Sequence, residues 1–390
     1  MISTQEALAH LFALVKPGET EHVQLREAAG RVLAQDLSAK RDQPPFAASA
    51  MDGYAVKDAD AKPGTRLKVI GEAAAGHRFD GEVTGGQAVR IFTGAPLPDG
   101  ADRVIIQEDV EREGDMITLI EGLDAKPHVR PAGADFGVGD TIRAPRLLSP
   151  SDIALLASMN IAKAPVKRKP IVAIIATGDE LVQPGEHPGP DQIIASNSYG
   201  LAALVEQSGA VARLLPIARD DAPALRLAFD LAEDADLIIT IGGASVGDHD
   251  LVGDIAQEQG MERAFYKIAM RPGKPLMAGR MGDATMIGLP GNPVSAMVCG
   301  QIFVLPVISK MLGLGEAPAP RETAPLAAPI GPNGPREHYM RARLGSDGVT
   351  VFDRQDSSLL TVLADANCLV VRPIADGARA KGEVVEIIHL

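Results

Sequence analysis

Ile171-Val172-Ala173-Ile174-Ile175-Ala176-Thr177-Gly178-Asp179-Glu180 is the stretch that decides the fold. Six apolar residues without polar alternation are what a strand covered on both faces requires. The Thr-Gly-Asp-Glu that follows breaks the run with a turn bearing two carboxylates. The same grammar repeats downstream. Residues 201–205 lie in a helix, 211–217 are strand-like, 222–231 are helical, and 237–241 form another buried strand. A strand at 286–289 precedes a long helix from 294 to about 311. Repeated βα units with short loops predict a doubly wound parallel sheet.

Upstream, Ser3-Thr4-Gln5-Glu6 reads as a capping box, with Ala7, Leu8, Leu11, Phe12 and Val15 at helical spacing until Lys16-Pro17-Gly18 stops the helix. Short β-prone runs at 67–70, 88–91, 103–107 and 116–119, separated by Gly, Pro and Asp turns, make residues 21–139 a β-rich domain. Ser149-Pro150-Ser151-Asp152 opens a helix through 159. Packed back on the first helix, it would make 1–20 plus 140–168 a discontinuous N-terminal domain holding the β-rich part as an insert. The α/β domain then covers 169–315. Pro-rich 317–335 reads as a linker into a small C-terminal β domain within 316–390.

Composition narrows the function. The chain has 390 residues, 46% apolar and only 3% aromatic, so its cores are aliphatic. The formal charge of −13 argues against a general nucleic-acid binder, and leaves an anionic ligand only where Lys and Arg concentrate locally. Cys299 and Cys368 form no CxxC or Cys/His cluster, which fits a reducing compartment. No basic-then-apolar leader opens the chain, and no apolar run reaches the ~20 residues that span a bilayer. The expectation is a cytoplasmic protein with no membrane and no nucleic-acid partner.

In open α/β sheets, ligands sit beyond the carboxyl ends of the strands. Four loops fall there: 177–180, Arg219-Asp220-Asp221, the glycine-rich 242–250, and Gly288-Leu289-Pro290-Gly291-Asn292-Pro293. Glycines let backbone N–H groups close on phosphate oxygens, and a following helix N-terminus favours negative charge. Carboxylates in the same place repel an anion unless a cation sits between. Asp179, Glu180, Asp220, Asp248 and Asp250 therefore point to Mg²⁺ bridging to phosphate. Any one loop alone is equally turn chemistry plus helix capping; four at one edge point to a phosphorylated ligand. Neither a Walker loop nor a GxGxxG opening is present. Lys267-Ile268-Ala269-Met270-Arg271-Pro272-Gly273-Lys274-Pro275 holds three cations stiffened by two prolines, an anion clamp or else a solvated strand end. Outside this domain, 49–56, 93–96 and 130–135 each read alone as turns.

Together these motifs resemble the MoeA/gephyrin E-domain family, the molybdopterin molybdenumtransferases, over essentially the whole chain. The carriers are SAMDGYAV at 49–56, FTGAPLPDGAD at 92–102, VRPAGAD at 129–135, ATGDEL at 176–181, RDD at 219–221, GGASVGDHD at 242–250, MRPGKP at 270–275 and LPGNPVS at 289–295. The 171–315 segment alone resembles the wider molybdopterin-binding fold; MDGYA, TGAP and VRPAGAD separate this family from its relatives. The resemblance implies a four-domain homodimer whose active site lies between the α/β domain of one subunit and the β-rich domain of the other. It implies that adenylylated molybdopterin and molybdate are converted to molybdenum cofactor and AMP with a divalent cation. Exchange with a molybdopterin adenylyltransferase and with molybdoenzymes or their chaperones follows as an expectation.

By the same resemblance Asp52, Thr93, Arg130 and Asp135 are site residues of the β-rich domain. Glu180, Asp220, Gly243, Ser245, Asp250, Lys267, Arg271, Lys274, Pro290, Gly291, Pro293 and Ser295 are those of the α/β domain, and Arg341, Ser357 and Ser358 those of the tail. Asp250 with Asp220 or Glu180 would hold Mg²⁺. Lys274, Arg271, Arg341 and the Ser357 and Ser358 hydroxyls would grip molybdate, while Pro290 to Ser295 cradle the pterin phosphate. The chain departs from the family pattern at Ala244, Ala134, Arg271 (a frequent Lys), His249 and Thr361-Val362. The competing readings are a molybdopterin adenylyltransferase and a non-catalytic scaffold of the same fold.

Overall fold

The computed structural model describes residues 1–242 and 251–390. They divide into two compact units: residues 1–21, 30–34 and 166–390, and residues 22–29 and 35–165. In the first unit, strands β1 (Ile171–Ala176), β2 (Val211–Leu214), β3 (Leu237–Ile241), β4 (Glu262–Tyr266), β6 (Met277–Met281) and β7 (Ala284–Leu289) form one sheet in the order β2-β1-β3-β7-β6-β4. The short strand β5 (Met270–Arg271) leaves it for another sheet. β1, β2, β3 and β7 are parallel, and β6 alone runs the other way.

The apolar runs bury both faces, as continuous hydrophobicity requires. Val172, Ile174, Leu237, Ile239 and Leu289 pack toward α1 (Thr4–Leu14), α3 (Ser196–Gln207) and the long helix α6 (Pro293–Met311). Ala173, Ile175, Ile238 and Met286 face α4 (Ala222–Asp230) and α5 (Leu251–Glu258). α6 is long and apolar enough to cross a membrane, but 72% of it is buried inside this core. Its middle, Gly300–Val304, widens into a π turn just ahead of Pro306. That loosens the ladder where proline has no N–H to give.

α1 joins this core through Ala7, Leu8, Leu11 and Phe12. The other early helix, α2 (Pro150–Ser158), falls in the second unit. The division therefore differs from the expected pairing of 1–20 with 140–168, because the apolar stripe of α1 is satisfied by the α/β domain. A second difference is the β4–β6–β7 portion, which adjacent antiparallel pairing makes without the βα grammar used to read the rest.

The C-terminal strands β8 (Glu322–Pro325), β9 (Glu337–Gly345), β10 (Gly348–Val351), β11 (Cys368–Arg372) and β12 (Val384–His389) form a sheet with β5, ordered β5-β9-β11-β12-β8, and β10 lies on β9. The expected 317–335 linker thus contains a strand; β8 ends on Pro325 at the sheet's outer edge, where a missing N–H is tolerated. Leu369 and Val371 join the α/β core, while Cys368 and Val370 build a separate core with Ala324, Val349 and Ile387. β5 pairs in parallel with β9, Met270 opposite Glu337 and Arg271 opposite His338. On its other side Ile2 bridges Ile268, and the Ala269 N–H donates to the Ile2 carbonyl at 2.8 Å.

The second unit is built on a six-stranded sheet ordered Arg103–Ile106, Gly53–Val56, Gln87–Ile91, Arg66–Ala73, Met116–Leu119, Val110–Glu113. All four predicted β runs are present in it. Tyr54, Leu67 and Ile117 fill one face; Ala55, Val89 and Val104 fill the other. Gly53 is held by close approach: a Cβ there would lie 1.9 Å from the Ile105 carbonyl oxygen. Gly53→Ala is expected to lower the stability of this unit by roughly 1–3 kcal/mol or more, as overpacking does. Urea unfolding checks this, and an unchanged midpoint would show that the two strands can separate freely.

Candidate functional site

Three strand ends are laced together at the carboxyl edge of the α/β sheet. The Thr177 N–H donates to the Ile241 carbonyl at 3.0 Å, the Gly178 N–H to Ala218 at 3.1 Å, and the Gly242 N–H to Leu289 at 3.1 Å. Asn197 Nδ2 donates to the Gly291 carbonyl at 2.7 Å, fixing the 290–293 turn that leads into α6. Asn292 caps α6 without a side-chain bond, and Pro293 takes the first turn as its fixed φ favours.

These ends enclose a cavity of about 650 Å³ whose lining includes Glu180, Asp220, Gly242, Pro290, Gly291, Pro293 and Ser358. No Lys or Arg is among its described lining residues. Burial and the neighbouring Asp179 and Glu180 charges raise the Asp220 carboxyl above its ordinary range. Among the described residues no group of three or more His, Cys, Asp or Glu is arranged to hold a metal ion. Gly243, Ser245, Asp248, His249 and Asp250 lie outside the described residues.

A second cavity, about 280 Å³, adjoins the first through shared walls at Pro275, Pro290 and Asn292. Arg271, Lys274, Arg336, Ser295, Ser357 and Gln355 line it. The clamp loop is closed at its base: the Ile268 N–H donates to Lys274 at 3.1 Å, and the Lys267 N–H to Leu276 at 3.0 Å. Gly273, at φ +106, packs so tightly that a Cβ would sit 2.5 Å from Cys299 Sγ. Lys267 does not share this cavity; its ammonium lies 4.7 Å from the centre of the Tyr266 ring. Arg341 is 1% exposed, and its guanidinium bonds to Gln355 and Asp356. Arg336 carries no local sequence signal of a site. Only the Met270–Glu337 register, which brings it beside Arg271, reveals it. A larger, mostly apolar cavity of about 700 Å³ between α1 and the C-terminal sheet holds none of the predicted site residues.

In the second unit three motifs converge on one short strand pair. Ala48 and Ser49 pair with Arg130 and Val129, and the Gly94 N–H donates to the Ser49 carbonyl at 2.9 Å. Asp52 Oδ1 accepts from the Thr93 N–H at 2.7 Å and its hydroxyl at 2.8 Å. Those bonds, with Arg90 nearby, hold the Asp52 carboxyl below its usual range. Arg90 itself stacks over Tyr54 and Phe92 at 5.1 and 4.8 Å. Arg130 and Asp135 are exposed beside this pair.

The chain matches three family models in order: the MoeA N-terminal region (domain I and II) over residues 2–160, a probable molybdopterin binding domain over 173–310, and the MoeA C-terminal region (domain IV) over 323–390. The chain belongs to the MoeA family. It is 35% identical to a molybdopterin molybdenumtransferase of Haemophilus influenzae over 380 residues, 95% of this chain and 94% of that one. It is 36% identical to one from Nostoc sp. over 392 residues, covering 95% and 89%. The crystal structure of the molybdopterin biosynthesis MoeA protein from Pyrococcus horikoshii superposes with a TM-score of 0.85 at 30% identity, covering both chains fully. Both cavities lie within the MoeA segments that match.

His338, in β9 beside the cationic cavity, is buried and faces Arg271, Arg341, Arg336 and Arg372. Burial first, then those four charges, push its pKa down to about 4. A depressed folded pKa makes the unfolded chain take the proton first. The contribution is therefore complete above pH 6.5 and is lost as pH falls toward 4. The loss should reach about 3 kcal/mol, at 1.36 kcal/mol per unit of pKa difference. Urea unfolding at pH 7 and pH 4 should show this loss in the native chain and its absence in His338→Gln; parallel pH curves for both would refute it.

Proposed function

We propose that this chain acts as a molybdopterin molybdenumtransferase of molybdenum cofactor biosynthesis, taking adenylylated molybdopterin and molybdate and releasing AMP with Mg²⁺. The observation that carries the reading is a division of charge: carboxylates without described cations in one cavity, and Arg271, Lys274 and Arg336 against a single carboxylate, Asp356, in the adjoining one. A phosphorylated ligand cannot lie against Glu180 and Asp220 unless positive charge comes with it. Burial, and after it the Asp179 and Glu180 charges, raise the Asp220 carboxyl, and hard oxygen donors suit Mg²⁺. Glu180 and Asp220, with Asp250, would hold the ion, which when bound neutralises phosphate charge during phosphoanhydride cleavage.

The chain's own residues do the rest. The glycine-containing turn at 290–293 and the start of α6 offer backbone N–H groups and a positive helix end to a phosphate. Arg271, Lys274 and Arg336 supply charge-assisted donors to the molybdate dianion, with Ser357 beside them. Asp220→Asn should raise the Mg²⁺ concentration needed for half-maximal AMP release, while Arg271→Ala should raise the KM for molybdate, each by about tenfold or more. Mass spectrometry for AMP and the molybdenum dithiolene follows both. An unchanged substrate in the native chain would overturn the reading, and ATP consumption without molybdate would favour an adenylyltransferase instead.

The assembly proposed is a homodimer in which Asp52, Thr93 and Arg130 of one copy serve the α/β site of the other. The family resemblance and the convergence of three motifs on that small face of the second unit support it. Mixing inactive Asp52→Ala and Asp220→Ala chains should restore about a quarter of native activity, as one intact shared site per mixed dimer requires. No recovery, with dimers shown to exchange, would place all these residues in one copy's site.

A further inference from the structure

Three strands of the second unit end at one corner of its sheet. Asp52 stands just before Gly53–Val56, Phe92 and Thr93 just after Gln87–Ile91, and Gln107 just after Arg103–Ile106. Antiparallel pairing places Gly53 opposite both Ile91 and Ile106, so these ends are neighbours. The Gln107 N–H donates to the Asp52 carbonyl at 3.1 Å, and the Asp52 carboxylate takes both Thr93 donors. A carboxylate on such a corner is aimed only as well as the strand ends are held, because the ends of elements open first.

Arg90 is the side chain that joins all three ends. It pairs with Tyr54 across the sheet and precedes Phe92 by two residues, the spacing of one strand face. Its guanidinium lies 5.1 Å from the centre of the Tyr54 ring and 4.8 Å from that of Phe92. From there Nη1 donates to the Gly53 carbonyl at 3.1 Å, and Nη2 donates to Gln107 Oε1 at 2.7 Å. The contacts close a ring: Arg90 to Gln107, Gln107 to Asp52, Asp52 to Thr93, and Thr93 back along the chain to Arg90. Tyr54 is 4% exposed and packed in the sheet's core, so the guanidinium rests on a fixed surface. Stacking on rings while donating from the edge suits a flat, forked cation. An ammonium would keep the charge over the rings but not the paired bonds.

We infer that Arg90 is a positioning residue for Asp52, tying the three strand ends so that the carboxylate stands where the neighbouring copy's α/β site can use it. The inference rests on the shared-site reading above, in which Asp52 and Thr93 serve that site. A residue that acts through Asp52 costs activity on removal only while the Asp52 carboxylate is present, and this separates positioning from direct contact.

The test is a double-mutant cycle in the full-length protein, read by AMP release from adenylylated molybdopterin with molybdate and Mg²⁺. Arg90→Gln should lower kcat by roughly ten- to hundredfold, the scale of a misplaced group, and leave the KM for molybdate within about twofold. Arg90→Lys should recover part of that loss, because the charge over the rings survives. In an Asp52→Asn background the same Arg90→Gln change should cost less than about twofold, since coupled residues share one loss. Urea unfolding shows whether each variant folds; if Arg90→Gln does not, Gln107→Ala, which removes the acceptor of Nη2, takes its place in the cycle. Equal losses with and without the Asp52 carboxylate would make Arg90 an independent contact or a support of the fold, and would overturn the inference. So would a native rate in Arg90→Gln. A native rate in Asp52→Asn, or native chain that releases no AMP, would instead remove the reading on which the inference stands, and the inference with it.

Discussion

Two residues of parallel pairing, Met270 and Arg271 against Glu337 and His338, hold the site together. The segment that carries them leaves the α/β sheet after β4 and returns in β6, and joins a different sheet on the way. Without that pairing the clamp would be an exposed excursion. With it, Arg271 stands beside Arg336, and the Gln355–Ser358 loop closes over the start of α6. Ile2 braces the opposite edge through a single bridge to Ile268 and its carbonyl's bond from the Ala269 N–H, so the clamp segment has backbone partners on both sides. A short strand between two neighbours has backbone partners on both sides, which two residues need if they are to hold a fixed direction.

The second constraint is electrostatic. A chain with a formal charge of −13 gathers Arg271, Arg336, Arg341 and Arg372 around one buried histidine. Such crowding survives because the guanidiniums find acceptors. Arg372 meets Asp376 and the carbonyls of Gly331 and Gly377, Arg341 meets Gln355 and Asp356, and His338 stays neutral among them. Buried charge is tolerated when its hydrogen bonds are complete. The carboxylate cavity has no such internal compensation among its described residues, and that asymmetry gives the site a direction.

Continuous apolar runs made the α/β core legible, since a strand covered on both faces leaves a local signature. β1 and β3 coincide with their apolar runs residue for residue, and four of the six strands in the second unit's main sheet carry a β-prone run, whereas Gly53–Val56, which reads as part of a turn, is an inner strand there. What escaped reading depends on long-range pairing. β6 sits beside β7 with no helix between to announce it. β5 finds its partner 67 positions later in the sequence, Met270 opposite Glu337. Arg336 has no local sign of function, and the burial of Arg341 against Gln355 and Asp356 has none either. The partner of the α1 stripe was equally invisible, because an amphipathic helix states that it must bury a face and not against what.

The wall common to the two cavities includes Pro275 and Pro290, and Pro293 stands beside them in the carboxylate cavity. Proline has no N–H to offer an anion, and its fixed φ prevents the wall from turning other donors inward. Among the described residues the cationic donors therefore stand on the Arg and Lys side, while the other cavity offers backbone amides and the neutral side chains of Ser196, Asn197 and Ser358. The prolines that stiffen the clamp also keep its two ends chemically distinct.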